Sequence, residues 1–96
     1  MRLAGKVAII TGGARHIGGA YARRIAAEGA AVVIADILDG KPVANEIRSQ
    51  GGEALAVAAD VSSEKDTKLM AEAAVKAFGR IDILVNNAAI FRNPCD

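Results

Sequence analysis

Only one cysteine, Cys95, occurs in the 96 residues, so an intrachain disulfide and a C-x-x-C metal or redox pair are both excluded. Standing close to the last residue, it reads as an incidental thiol. Histidine is as scarce: His16 is alone, and a lone histidine without a cysteine cluster is not a metal centre. Apolar stretches are short and interrupted by Gly or Asp, far below the roughly 18 consecutive apolar residues that cross a bilayer. Met1 to Lys6 lead directly into a brief apolar run that stops at Thr11, too short for a signal-peptide core, and a cytoplasmic location is the default expectation. Neither charge sign dominates, with 12 Lys and Arg against 11 Asp and Glu and a net charge of +1. The cations are scattered and form no basic stripe, so nucleic acid is not an expected partner.

What is present suits a globular protein. Hydrophobic residues reach 52% and charged residues 24%, enough apolar surface to close a core, and the length fits one folding unit. Val7 to Ile10 is a continuous apolar, partly β-branched run ending at Thr11-Gly12-Gly13, the pattern of a strand buried on both faces. From Ile17, the apolar positions Ala20, Tyr21, Ile25 and Ala26 follow helical spacing, and Gly29 closes that helix. Ala31 to Ala35 gives a second strand ending at Asp36. Pro42 suits the first turn of the next helix, which runs to about Gln50 and stops at Gly51-Gly52. Glu53 to Ala59 is the third strand. Ser63 and Asp66 resemble a capping box opening a helix with Leu69, Met70, Ala73, Ala74 and Ala77 as its apolar positions, and Gly79 ends it. Ile81 to Val85 is the fourth strand.

Strands alternating with helices across short loops predict an α/β fold: a doubly wound parallel sheet with helices on both faces. The expected order is 3-2-1-4, the opening part of a Rossmann-type dinucleotide fold. In that order strand 4 needs further strands to cover it, so residues 1–96 are expected to be the N-terminal part of a longer single domain.

The segment Thr11-Gly12-Gly13-Ala14-Arg15-His16-Ile17-Gly18-Gly19 lies between a buried strand and a helix. Unpaired amides and the positive end of the helix dipole favour a phosphate there, and glycine lets it approach. The G-x-G-x-x-G fingerprint is absent, and Gly18 is not followed by Lys-Ser/Thr, so this is not a P-loop. Asp36 comes 18 residues after Gly18, at a strand end where a carboxylate accepts hydrogen bonds from ribose hydroxyls. A tight turn without ligand and a solvated aspartate are the alternatives.

These motifs resemble the short-chain dehydrogenase/reductase family. Thr11, Gly12 and Gly18 match fixed positions of its T-G-x-x-x-G-x-G motif, whereas His16 stands at the middle glycine. There the imidazole crowds the pyrophosphate, points away from it, or contacts a phosphate itself. The resemblance implies that Gly12, Arg15, His16, Ile17 and Gly18 surround the pyrophosphate and that Asp36 and Ile37 meet the adenosine ribose. It also implies that Asp60 and Val61 contact adenine, although Asp60 reads equally as a loop or capping residue. Asn86-Asn87-Ala88-Ala89 is similar to the family's N-N-A-G, with Ala89 replacing glycine, which implies that Asn87, Ala88 and Ala89 line the adenosine and nicotinamide-ribose side. Asp36 favours NAD because its charge repels a 2′-phosphate; Arg15 pulls toward NADP, which ranks second.

The implied activity is hydride transfer between a nicotinamide cofactor and a small alcohol or carbonyl substrate. The family's catalytic Ser and Y-x-x-x-K pair have no counterpart: Tyr21 is the sole tyrosine, is followed four residues later by Ile25, and reads as a helix residue packing on the sheet. No catalytic residue is named, and the 96 residues alone are expected to be inactive. The other reading is a catalytically silent dinucleotide-binding or interaction module complete at Asp96. A homo-oligomer is expected only of a longer parent.

Overall fold

The apolar runs pair side by side into one parallel sheet. A computed structural model describes residues 3–12, 16–60 and 62–86, and the side chains of all these except 16, 17 and 86. The order along the chain is β1 (Val7–Thr11), α1 (His16–Ala27), β2 (Ala31–Asp36), α2 (Lys41–Ser49), β3 (Ala54–Ala58), α3 (Glu64–Phe78) and β4 (Ile83–Asn86). The sheet has the order β3-β2-β1-β4 with every pairing parallel, the expected Rossmann-type arrangement.

β1 and β2 occupy the centre, and every residue of both is buried. A strand covered above and below has no polar face to offer water, which is why both read as unbroken apolar runs. Their side chains alternate between two cores. Ile10, Val32 and Ile34 meet Ala22 of α1 and Val43 and Ile47 of α2. Ile9, Val33 and Ala35 meet Met70 and Ala74 of α3 on the opposite face. Ile9, Ile10, Ile34, Val32 and Val33 are the largest fully buried side chains, and each contributes about 1.5–3 kcal/mol by leaving water.

Two expectations for the helices need correction. α1 does not bury Ala20 and Tyr21; Tyr21 is 46% exposed, while Gly18, Gly19 and Ala22 are buried. Small residues let this helix lie close to the strands, and counting only the larger apolar side chains misplaces its inner face by about one position. In α3, Leu69 is also half exposed, and Met70 and Ala74 form the buried stripe.

The helix ends follow local chemistry. Pro42 lies in the first turn of α2, and Asp39 Oδ1 accepts from the Lys41 amide at 3.0 Å. Ser63 caps α3 by accepting from the Asp66 amide at 3.2 Å, and Gly79 closes it at φ 86°, in the left-handed region.

Strand limits shift slightly. Glu53 and Ala59 lie outside β3, yet the Val32 amide still donates to the Glu53 carbonyl and the Ala59 amide to the Asp36 carbonyl. β4 begins at Ile83, not Ile81, because Asp82 turns its carboxylate onto β1. β3 and β4 are the sheet edges, and Leu84 on β4 is 60% exposed.

Candidate functional site

The connection through α3 carries the chain from β3, on one side of β1 and β2, to β4 on the other. Such a reversal leaves a crevice outside the carboxyl ends of the strands, the usual ligand position in an open α/β sheet. β1 is the strand that delivers its last residues into that crevice, between β2 and β4.

Those residues are held from both sides. Thr11 is 3% exposed and donates its hydroxyl to the Val85 carbonyl of β4 at 3.2 Å. The next residue, Gly12, donates its amide to the Ala35 carbonyl of β2 at 2.8 Å. Gly12 is buried with φ 71°, a conformation that a side chain opposes, so glycine is required at this turn. α1 then starts at His16, with Gly18 and Gly19 buried against the sheet. Its first turn carries no acidic residue, so the positive end of the helix dipole is not offset from within.

Asp36 is the last residue of β2, one position beyond Ala35, which faces Thr11 in the register. It is 4% exposed, and its Oδ1 accepts from the Leu38 amide at 3.0 Å. That bond folds the following loop back and presents Ile37 and Leu38 as exposed apolar side chains. Asp39 adds a second carboxylate to this loop, and Lys41 follows as the first residue of α2.

Asp60 follows β3 at the same edge and is exposed. Its Oδ1 accepts from the Ser62 amide at 2.9 Å and the Ser62 hydroxyl at 2.6 Å. The loop reading of Asp60 is thus satisfied, while the helix cap belongs to Ser63. The capping box is half formed: Ser63 receives the Asp66 amide, but the Asp66 carboxylate accepts from the Asp60 amide at 2.9 Å. The Ser63 amide, its usual target, donates to the Asp60 carbonyl instead.

The strand ends therefore bring Gly12, the start of α1, Asp36, Ile37 and Asp60 to one edge of the sheet. His16 and Ile17 are the first two residues of α1, and their side chains lie outside the described residues, as do Arg15, Val61, Asn87, Ala88 and Ala89. Motif matching names Thr11 and Asp66 but not the bonds they make, from the Thr11 hydroxyl to the Val85 carbonyl and from the Asp60 amide to the Asp66 carboxylate. A hydroxyl ending a fully buried run must find a partner, and this was the available signal for Thr11. Among the described residues no group of three or more His, Cys, Asp or Glu could hold a metal ion, and no helix is long and apolar enough to cross a membrane.

Comparison with known proteins agrees with this fold. A family model described as short chain dehydrogenase matches residues 6–95. A 2,5-dichloro-2,5-cyclohexadiene-1,4-diol dehydrogenase of Sphingobium indicum is 50% identical over 91 residues, covering 93% of this chain and 36% of its own. Galactitol 2-dehydrogenase of Agrobacterium fabrum is also 50% identical over 91 residues, covering 95% of this chain and 35% of its own. The crystal structure of a hydroxysteroid dehydrogenase from Escherichia coli superposes with a TM-score of 0.86 at 42% identity, covering 88% of this chain and 37% of that one. The chain thus spans little more than a third of the length of these relatives.

Proposed function

Because this chain belongs to the short-chain dehydrogenase family, we propose that it forms the dinucleotide-holding part of an oxidoreductase acting on a small alcohol or carbonyl substrate. Residues 1–96 are then part of a single Rossmann-type domain. The observation that carries the reading is the placement of Asp36, buried at the tip of β2 and one register position past Thr11, beside the glycine turn that opens α1.

The residues present fit a dinucleotide. Gly12 removes the side chain at the turn, and the first amides of α1, from His16, Ile17 and Gly18, are available in type and position to a diphosphate. Asp36, an acceptor held in place by the Leu38 amide, suits the hydroxyls of a ribose. Ile37 offers an apolar side chain next to it. By resemblance, Asp60 and Val61 meet adenine, and Asn87, Ala88 and Ala89 the nicotinamide-ribose side, with Arg15 near the phosphates. When bound, the nicotinamide ring supplies C4 as the hydride donor or acceptor. The part of these 96 residues is to bind and orient; no proton-transferring group is assigned among them. Two relatives are named for a diol and a sugar alcohol, which supports the substrate class.

NAD is the preferred cofactor in this reading. A 2′-phosphate beside Asp36 would face its carboxylate, a like-charge contact that the ribose hydroxyl of NAD avoids. Titration of the intact protein with NAD and NADP tests this directly. NAD is expected to bind at least about tenfold more tightly, and Asp36→Ala is expected to narrow the gap. A wild-type preference for NADP would overturn the assignment.

A further inference from the structure

We propose that Asp66, inside the first turn of α3, is a positioning residue for the adenine end of the dinucleotide; the inference rests on the reading of Asp60 as an adenine contact. Hydrogen-bond partners are exchanged at the start of α3. In a complete capping box the carboxylate at this position returns to the amide of the cap residue. Here the Ser63 amide is engaged by the Asp60 carbonyl at 2.9 Å, and the Asp66 carboxylate reaches past it to the Asp60 amide at 2.9 Å.

Asp60 is consequently gripped at its amide, its carbonyl and its Oδ1, and two of these three grips come from the opening of α3. α3 is itself fixed, because Met70 and Ala74 are buried against Ile9 and Val33 of the central strands. On the other side, Ala59 is buried and donates its amide to the Asp36 carbonyl at 3.0 Å. A continuous set of bonds therefore runs from Asp36 through Ala59 and Asp60 to Asp66. Removing the last member leaves Asp60 tied to β2 through its neighbour and to the Ser63 amide through its carbonyl, but frees its own amide, the grip that joins it to the body of α3.

A bond that only stabilised the helix would act through the cap, which Ser63 provides independently by accepting the Asp66 backbone amide at 3.2 Å. The two roles are separable by ligand. NAD and its hypoxanthine analogue differ only in the base, where the analogue lacks the amino group that a carboxylate can accept from. Binding of both to the intact protein, without substrate, is measured by calorimetry for wild type, Asp66→Ala, Asp66→Asn and Ser63→Ala, together with the melting temperature of each.

Wild type is expected to prefer NAD. Asp66→Ala is expected to reduce that preference by roughly threefold to tenfold, the worth of one hydrogen bond. Asp66→Asn, whose amide oxygen can accept the same bond, should retain the preference to within about twofold. Ser63→Ala should lower the melting temperature and leave the preference intact. The inference is overturned if Asp66→Ala keeps the wild-type preference, or weakens both ligands equally. A wild type that binds both dinucleotides alike defeats the adenine reading of Asp60, and one that binds neither defeats the proposed function itself.

Discussion

Val7 and Asp82 exchange hydrogen bonds across the amino ends of β1 and β4: the Val7 amide donates to Asp82 Oδ2 at 2.8 Å, and the Asp82 amide donates to the Val7 carbonyl at 2.9 Å. Arg80 grips the other carboxylate oxygen through Nε at 3.0 Å and Nη2 at 2.7 Å. The side chain thus begins the pairing of the edge strand before the strand itself starts. It also explains why Asp82 interrupts an otherwise apolar segment.

A pH dependence follows from this pair. The Arg80 guanidinium, and after it the Val7 amide, hold the Asp82 carboxyl below its ordinary value of 3.8. The folded state therefore favours the ionised form, and the contribution is complete above that value and fades as acid titrates the group through its lower folded value. Urea unfolding of the intact protein from about pH 6 to about pH 2 should lose part of its acid dependence in Asp82→Asn. An unchanged acid limb in that variant would assign the dependence to other carboxylates.

Gly40, which precedes α2, has an ordinary φ of −89°, so its requirement is space and not backbone freedom. A Cβ there would meet Ile34 Cγ2 at 2.8 Å and the Ala56 Cβ at 3.5 Å. Ile34 is fully buried and β-branched, so its methyl cannot swing aside. Gly40→Ala should destabilise by about 1–3 kcal/mol in denaturant unfolding, the usual cost of overpacking a closed core. A neutral result would mean that the start of α2 moves away from the sheet at little cost.

The Thr11 hydroxyl joins β1 to β4 where the glycine turn departs. Thr11→Val keeps the shape and removes the donor, and a loss of about 1 kcal/mol is expected in urea unfolding. Thr11→Ser should retain most of the wild-type stability. Equal losses in the two variants would point to the methyl group in place of the bond.

Much of the fold was legible because it rests on strong local signals. The apolar runs at Val7–Ile10 and Ala31–Ala35, the glycines at 29, 51 and 79, and Pro42 mark the elements, and handedness rules with the family resemblance order the strands. The inner face of α1 was less legible, because Gly18, Gly19 and Ala22 pack by being small and weigh little in an apolar pattern. Tyr21 was assigned to the sheet for the converse reason. At the site, motif spacing placed Gly12, Asp36 and Asp60 at strand ends, but bonds such as Thr11 to Val85 join residues far apart in the chain. No local pattern encodes them. The link from Asp66 to Asp60 was hidden by a familiar motif whose second half is rerouted.

Whether a dinucleotide lies on the carboxyl edge of β1 and β2 is read out by a backbone-amide NMR titration of the intact protein with NAD. Saturable shifts are expected at Gly12, at the start of α1, and at Asp36 to Leu38, with the amino-end pair Val7 and Asp82 undisturbed. Saturable shifts confined to any other surface, or no shifts at millimolar NAD, would contradict it.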